Sequence, residues 1–176
     1  VRQNSQNITI RGFSITNCKN GLSVSSNAIV TIQNCNIFQN KGYNGAGVGA
    51  SFCTVYLSGV KIYNNDAYNM AGGLYINGYM GYVNVTFDPV NRCSIYNNTA
   101  GAGQDIVAHS INNDLSIPLD KFTVPNPTSY YAASFRAYGN EFQLLIDAET
   151  AHHQEVNSDL YVSPTGDDTN DGLGPA

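Results

Sequence analysis

Short apolar stretches recur along the first 110 residues and fall into three sets that repeat in the same order. Apolar residues alternate with polar or small ones in each stretch, which is typical of a strand with one buried face. The first set is Ile8-Thr9-Ile10, Val30-Thr31-Ile32, Val55-Tyr56-Leu57 and Val83-Asn84-Val85. The second set is Phe13-Ser14-Ile15, Cys35-Asn36-Ile37, Val60-Lys61-Ile62 and Cys93-Ser94-Ile95. The third set is Leu22-Ser23-Val24, Val48-Gly49-Ala50, Leu74-Tyr75-Ile76 and Ile106-Val107-Ala108.

The intervals between equivalent stretches are nearly constant. The isoleucines that end the second set recur after 22, 25 and 33 residues, and the residues that begin the third set recur after 26, 26 and 32. Periods of this size indicate a solenoid, in which each repeat buries its apolar face against its neighbours. We therefore predict an all-β fold in which residues 1–111 form the coils of a parallel β-helix with three strands per turn.

The turn after each second strand carries polar and aromatic residues in register. Asn17 is followed one repeat later by Gln39-Asn40, and then by Asn64-Asn65 and Asn97-Asn98. Asparagine tolerates left-handed backbone conformations, and stacked asparagines can hydrogen-bond along the axis of a solenoid.

Phe38, Tyr63 and Tyr96 directly follow the second-strand isoleucines and should stack as an outward aromatic ladder. Two interpretations are open: the ladder holds the coils together, or its exposed rings, with Tyr75 on the third strand, contact carbohydrate or a protein partner.

Composition and charge agree with a solenoid and divide the chain in two. Only 12% of residues are charged, whereas tyrosine numbers 12 and glycine 17. Residues 1–110 carry a net charge of +3 and residues 111–176 a net charge of −8. The break predicts a boundary near residue 111, and the acidic second half argues against a nucleic-acid partner.

Several features bear on where the protein acts. We find no apolar run long enough to span a membrane and no secretory signal, and the chain does not begin with Met. We therefore expect no membrane insertion, and a processed product or a segment of a longer protein. Four cysteines, Cys18, Cys35, Cys53 and Cys93, lack the spacing of a zinc site. Cys35 and Cys93 take the same inward position two coils apart, about 9–10 Å, which is too far for a direct disulfide.

The repeat disappears after Ile111. Residues 112–156 contain short strand-like stretches, and we predict a small antiparallel β module in which Tyr130–Phe135 pairs with Phe142–Ile146. The sequence leaves two alternatives for the stretch Ala148–Val156, a helical turn or a continued strand. Residues 157–176 are predicted to form an extended tail.

The tail also carries the most specific local motif, Tyr161-Val162-Ser163-Pro164-Thr165-Gly166-Asp167-Asp168 followed by Asn170-Asp171-Gly172. It resembles the opening of secreted bacterial proteins of the pectin-lyase-like superfamily. The coils, as in Val60–Asn65 and Gly72–Ile76, resemble those of the same superfamily and of its polymorphic surface proteins. The resemblance implies a right-handed parallel β-helix at an extracellular or cell-surface location, with the tail as the start of a further β-helix.

Pectin-cleaving members of that superfamily place their catalytic residues on the exposed face of one sheet. In the lyases, acidic residues hold calcium and an arginine is the base; in the hydrolases, clustered aspartates are the acid and the base. The corresponding positions of the third strands here are Ser23, Gly49, Tyr75 and Val107, and none is acidic or basic. Since glycosidic cleavage requires two nearby carboxylates, we lean against enzymatic activity.

Two polar segments carry residue types that can bind metal ions. His152-His153 with Glu149 and Glu155 is better explained as a solvated stretch. Asp167, Asp168, Asn170 and Asp171 are a candidate calcium loop, although their spacing departs from an EF-hand and a charged turn is the alternative. We expect no other cofactor.

The sequence thus favours a structural and adhesive unit of a longer array or filament. Its partners would be copies of itself, joined head to tail through the strand-forming segment Leu160, Tyr161, Val162 and Ser163, or a covalently linked next domain. The alternative is a polysaccharide-binding or polysaccharide-cleaving β-helix, similar to pectate lyase, whose catalytic coils are absent from this chain.

Overall fold

A computed structural model of the chain describes residues 7–79, 81–137 and 141–153. These residues form an all-β structure of seventeen strands without a helix. In chain order the strands are β1 (Ile8–Arg11), β2 (Ser14–Thr16), β3 (Leu22–Val24), β4 (Ile29–Gln33), β5 (Asn36–Phe38), β6 (Lys41–Asn44), β7 (Val48–Ser51), β8 (Thr54–Ser58), β9 (Lys61–Tyr63), β10 (Asp66–Met70), β11 (Leu74–Asn77), β12 (Asn84–Phe87), β13 (Cys93–Tyr96), β14 (Ile106–His109), β15 (Leu115–Phe122), β16 (Ala132–Phe135) and β17 (Leu144–Ala151). Accordingly, no helix that could cross a membrane occurs in this part of the chain.

The predicted parallel β-solenoid is confirmed, and it has about five turns, whereas the sequence pattern showed four repeats. The first sheet has the order β1-β4-β8-β12, the second β2-β5-β9-β13-β15-β17 and the third β3-β7-β11-β14-β16. In the second and third turns, β6 and β10 add a two-stranded fourth sheet between the second and the third. Every strand pair in these sheets is parallel.

The predicted register is confirmed for the second and third sheets. The isoleucines of the second strands align from Ile15 through Ile37 and Ile62 to Ile95. The third strands align from Leu22 through Val48 and Leu74 to Ile106.

The first strand of the fourth turn differs from the prediction by two residues. Val85 and Phe87 lie opposite Val55 and Leu57, whereas the sequence pattern had suggested Val83 and Val85. A slip of two residues keeps every side chain on the same face, so the alternation of apolar residues could not reveal it.

The core is a narrow column of aliphatic side chains supplied by all three main sheets. Ile37, Ile62 and Ile95 are completely buried in it, and so are Cys35, Val60 and Cys93 in the neighbouring column. All four cysteines are unpaired, and burial raises the pKa of the Cys53 and Cys93 thiols to about 11. The two buried thiols therefore serve as small core residues and stay protonated at neutral pH.

The predicted antiparallel module is wrong. Strand β15 pairs parallel with β13 and β17, while β16 pairs parallel with β14. Strands β16 and β17 belong to different sheets, so they do not form the predicted hairpin. The undecided stretch that begins at Ala148 continues as strand through Ala151.

The sequence pattern did not indicate that the solenoid continues past residue 111, because a proline interrupts the apolar stretch and the interval between equivalent strands changes. Pro118 lies inside β15, but β13 pairs with β15 only from Leu119 onward. The missing N–H of the proline therefore interrupts no bond to β13. The described part of residues 112–156 is the fifth turn and the start of the next strand. The predicted extended tail, residues 157–176, lies outside the described residues.

Candidate functional site

The turn after each second strand has one repeated conformation. Asn17, Gln39, Asn64 and Asn97 have φ values of 55°, 53°, 54° and 54°, in the left-handed region that asparagine tolerates. This conformation turns the following side chain inward. The residues at that position in three successive turns, Asn40, Asn65 and Asn98, are buried.

These three asparagines form a continuous amide ladder. The Nδ2 of Asn40 donates to the Oδ1 of Asn65, and the Nδ2 of Asn65 donates to the Oδ1 of Asn98, both at 3.0 Å. The backbone N–H groups of Asn40 and Asn65 donate to the same oxygens, at 3.1 and 3.0 Å. The Nδ2 groups also donate to strand carbonyls, including that of Ile37 at 2.9 Å. The ladder thus satisfies buried backbone groups at a corner where sheet pairing is interrupted.

The ladder ends on a buried carboxyl group, that of Asp105. Its Oδ1 accepts from the Nδ2 of Asn98 at 2.9 Å and from the backbone N–H of Asn98 at 3.1 Å, and its Oδ2 accepts from the hydroxyl of Thr123. Burial raises the pKa of Asp105 to about 6, although its hydrogen bonds to Thr123 and Asn98 and the charge of His153 oppose the shift. The carboxyl therefore titrates just below neutral pH.

Asp105→Asn should remove a pH dependence of stability. The ordinary pKa of the carboxyl is 3.8, so between about pH 4 and 6 the folded chain binds more protons than the unfolded chain. Stability must therefore fall as the pH rises through this window, by about 3 kcal/mol for a shift of about two pKa units. Asparagine can still accept from Asn98 and carries no charge. Denaturant unfolding at pH 4 and pH 7 should show a gain for the variant at pH 7 only.

The matched control is Asp114→Asn. Asp114 is exposed, and its Oδ1 accepts from the backbone N–H of Gln143 at 2.8 Å, a bond that asparagine retains. This variant should keep the slope of the parent chain between pH 4 and 6. A parent chain whose stability rises across that window would contradict the assignment to Asp105.

The predicted aromatic ladder is present on the outer side of the second sheet. The rings of Phe38 and Tyr63 lie 5.1 Å apart at 4°, and those of Tyr63 and Tyr96 lie 5.3 Å apart at 6°. His152 extends the stack, with its ring 5.0 Å from that of Tyr96 at 32°. The rings of Phe38, Tyr63 and Tyr96 are half-buried, whereas His152 is exposed. The two rings inside the stack, those of Tyr63 and Tyr96, have a neighbouring ring on both faces. This geometry favours the stabilising interpretation, because a sugar ring would need an open aromatic face. A role of these rings in partner contact stays a prediction.

Tyr63→Ala should lower the free energy of unfolding by about 1–3 kcal/mol, because it removes ring contacts on both faces and buried apolar area. Thermal and denaturant unfolding measure the loss. Tyr82→Ala is the control, since Tyr82 is 62% exposed and should change stability little. A Tyr63→Ala chain with unchanged stability and lost binding to glycan would instead make the ladder a binding strip.

The outer face of the third sheet is less open than predicted. Ser23 is exposed, but Val107 is completely buried with Ala71 and Ala133 in a small apolar cluster outside the main core. Tyr75 packs against this cluster and is half-buried, which raises the pKa of its phenol. The expectation that Val107 faces solvent is therefore wrong, because its side chain packs against Ala71, which follows β10, and against Ala133 on the neighbouring strand β16.

Each acidic residue of the repeat half has a polar partner. Asp66 accepts from the hydroxyl of Thr99 at 2.9 Å. Asp88 accepts from the backbone N–H groups of Val90 and Asn91, at 2.9 and 3.1 Å, which lower its pKa to about 2. With Asp105 at the end of the amide ladder, the three carboxylates lie at separate places and stabilise turns.

The two candidate metal-binding segments differ in how much of each lies among the described residues. Glu149 pairs with Arg92 at 3.2 Å, and the ring of His152 stacks on Tyr96, so both have structural roles. No group of three or more His, Cys, Asp or Glu that could hold a metal ion occurs among the described residues. The candidate calcium loop, Asp167, Asp168, Asn170 and Asp171, and the candidate assembly segment Leu160, Tyr161, Val162 and Ser163 lie outside the described residues. Glu155 lies outside them as well.

A second pair of stacked rings was missed from the sequence. Tyr43 on β6 and Tyr68 on β10 lie 5.7 Å apart at 24°, and they are 63% and 81% exposed. The two tyrosines are 25 residues apart, the same interval that separates Phe38 from Tyr63. This shared interval was the available signal, but nothing in the sequence pattern indicated a fourth sheet.

Comparison of the chain with protein-family models, with curated proteins and with solved structures finds no match.

Proposed function

We propose that the chain is a structural and adhesive unit of a longer array or filament, at the cell surface or outside the cell. The observation that carries this proposal is the stacking of about five parallel turns, with an amide ladder and an aromatic stack that link the second, third and fourth turns. A solenoid of this kind is stiff along its axis, because each turn is bonded to both neighbours.

The ends of the solenoid offer a mode of assembly. Strands β1, β2 and β3 lie at one edge of the first, second and third sheets. At the other edge, β17 ends the second sheet and β16 ends the third. Sheet edges accept further strands through their unpaired backbone groups. Because the two end surfaces differ, their association is head to tail and can propagate.

Charge favours the same arrangement. Residues 1–110 carry a net +3 and residues 111–176 a net −8, so opposite ends attract. The segment Leu160–Ser163 is the proposed donor strand. A covalently linked next domain that begins at this segment is the other form of the same array.

Deletion of residues 157–176 tests the assembly. Light scattering and electron microscopy of the full chain should show concentration-dependent polymers, and the truncated chain should show monomers. Thermal unfolding of the truncated chain is the control for intact folding. A full chain that stays monomeric at high concentration would exclude head-to-tail association, and polymers that persist after truncation would exclude the donor segment.

The second candidate function is binding or cleavage of a polysaccharide by a pectin-lyase-like β-helix whose catalytic coils are absent from this chain. The resemblance of the tail motif to that superfamily and the outward tyrosines favour it. Release of reducing or unsaturated ends from pectin or other polysaccharides would support cleavage. A chain that binds a glycan without releasing ends would support binding alone.

A further inference from the structure

The fourth sheet presents an exposed aromatic surface that the structural role does not require. Tyr43 and Tyr68 point outward from β6 and β10, and their rings contact each other. Mutual contact fixes the orientation of both rings, yet most of each side chain remains in solvent. Paired, oriented and exposed aromatic rings are typical of recognition surfaces.

The aromatic stack on this sheet stops one step early. The next turn aligns Thr99 with Asp66 and Ala102 with Met70, which brings Gly101 beside Tyr68. Gly101 has no side chain to cover the ring, in contrast to the other ladder, where Tyr96 covers Tyr63. A Cβ at Gly101 would lie 2.9 Å from the carbonyl oxygen of Asn69, so the backbone holds this position free of a side chain.

A depression of about 480 Å³ lies beside Tyr68 and extends from Thr99 and Gly101 across β10 to Lys41 and Gly42 of β6. Ala67, Ala100 and Gly101 contribute small residues to its lining. Successive strands of a sheet are about 4.8 Å apart, so one vacant step accommodates one further ring above Tyr68. The volume lies within the range of small-molecule sites.

The rim of the depression is polar and carries one charge of each sign. Lys41 and Asp66 are register partners on the neighbouring strands β6 and β10, and the hydroxyl of Thr99 donates to Asp66. The amide of Asn69 donates to that of Asn44 at 3.0 Å nearby. Carboxylate, ammonium and hydroxyl groups together can donate and accept hydrogen bonds to several hydroxyl groups.

We propose that this surface, the Tyr68 shelf (Lys41, Asp66, Tyr68, Thr99 and Gly101), binds a neutral hexopyranose unit of an oligosaccharide. One face of the sugar ring stacks on Tyr68 and takes the step that Gly101 leaves vacant. The polarised C–H bonds of a pyranose fit the negative face of an aromatic ring, and its hydroxyl groups reach the rim.

The charges on the shelf decide the class of ligand. Its one Lys and one Asp leave no net charge to attract a phosphate-rich or polyuronate ligand. An apolar peptide or lipid would leave the charged groups of the rim without hydrogen-bond partners. A neutral polyol satisfies both the ring face and the rim. This inference names a site and a ligand class for the second candidate function, binding of a polysaccharide, and rests on that function. It is independent of head-to-tail assembly.

Titration of the purified full chain with cellohexaose, mannohexaose, xylohexaose and oligogalacturonate tests the proposal. Calorimetry or intrinsic tyrosine fluorescence is suitable, because the chain has no Trp. We expect at least one neutral hexose oligosaccharide to bind with a Kd of about 0.1–1 mM, and the oligogalacturonate to bind more weakly. Tyr68→Ala should raise the Kd about tenfold, and Tyr68→Phe, which keeps the ring face, should raise it less than about threefold.

Tyr82→Ala is the matched control, since it removes an exposed tyrosine that does not line the depression. It should leave the Kd unchanged. Thermal unfolding of Tyr68→Ala checks that the variant folds. The proposal is overturned if no neutral hexose oligosaccharide binds at millimolar concentration, or if Tyr68→Ala binds as well as the parent. Loss of polymers in Tyr68→Ala without any glycan binding would instead make the shelf an interface between copies of the chain.

Discussion

Ile62→Asp should unfold the solenoid. Ile62 is completely buried between Ile37 and Ile95 of the neighbouring turns. The change removes apolar contacts worth about 2–5 kcal/mol and adds a carboxylate without a partner in the core. Domains are stable by only about 5–15 kcal/mol, so the sum consumes most of the available stability. Circular dichroism and denaturant unfolding should show loss of cooperative β-structure.

The neighbouring position supplies the control. Lys61 precedes Ile62 in β9 and is exposed. Lys61→Asp should cost no more than about 1 kcal/mol, because it changes a solvated charge. Equal damage from the two substitutions would contradict the assignment of the two faces of β9.

The contrast between these two residues explains why much of the fold could be predicted. A strand that buries one face must alternate, and a solenoid must repeat that alternation at a constant interval. Ile15, Ile37, Ile62 and Ile95 satisfy both requirements, and they align in the structure as the sequence indicates.

The same logic fails where the interval changes. The fifth turn replaces the short first and second strands by the single strand β15, which contains Pro118. Without the repeat, the sequence pattern does not indicate that the apolar stretches of residues 112–156 pair with the preceding turns. It therefore predicts that they pair with each other. Their partners in space are the preceding turns, since Ala132 aligns with Ile106 and Leu119 with Cys93.

The polar features show a similar division. The stacking of Asn40, Asn65 and Asn98 followed from their spacing, but the role of Asp105 did not, because it reaches the ladder from a different turn segment. Likewise, Tyr68 lies on a strand of the fourth sheet that carries no apolar repeat of its own. Contacts made by turn segments and by the short strands of the fourth sheet depend on the path of the chain in space. The local pattern of apolar and polar residues does not determine that path.

Asn65→Ala should cause the largest loss of stability among polar substitutions in the ladder. Its Oδ1 accepts two donors from Asn40, and its Nδ2 donates to the carbonyl oxygens of Ile37 and Tyr63 and to Asn98. Alanine removes all five of these bonds and leaves the backbone N–H of Asn40 without its acceptor. The Nδ2 of Asn40 keeps its bond to the carbonyl of Ile15, and the Oδ1 of Asn98 keeps its bond from the backbone N–H of Asn65. At about 1–3 kcal/mol for each unsatisfied buried group, we expect a loss of at least about 3 kcal/mol in denaturant unfolding.

A variant of the adjacent Asn64 distinguishes the contribution of the amide ladder to stability from that of the turn conformation. Asn64 is exposed, has a φ of 54° and accepts from the amide of Asn97. Asn64→Ala should cost about 1–2 kcal/mol through the left-handed backbone conformation. A loss at Asn65 no larger than that at Asn64 would mean that water replaces the missing amide. A clearly larger loss would identify the buried amide ladder as the element that holds successive turns in register.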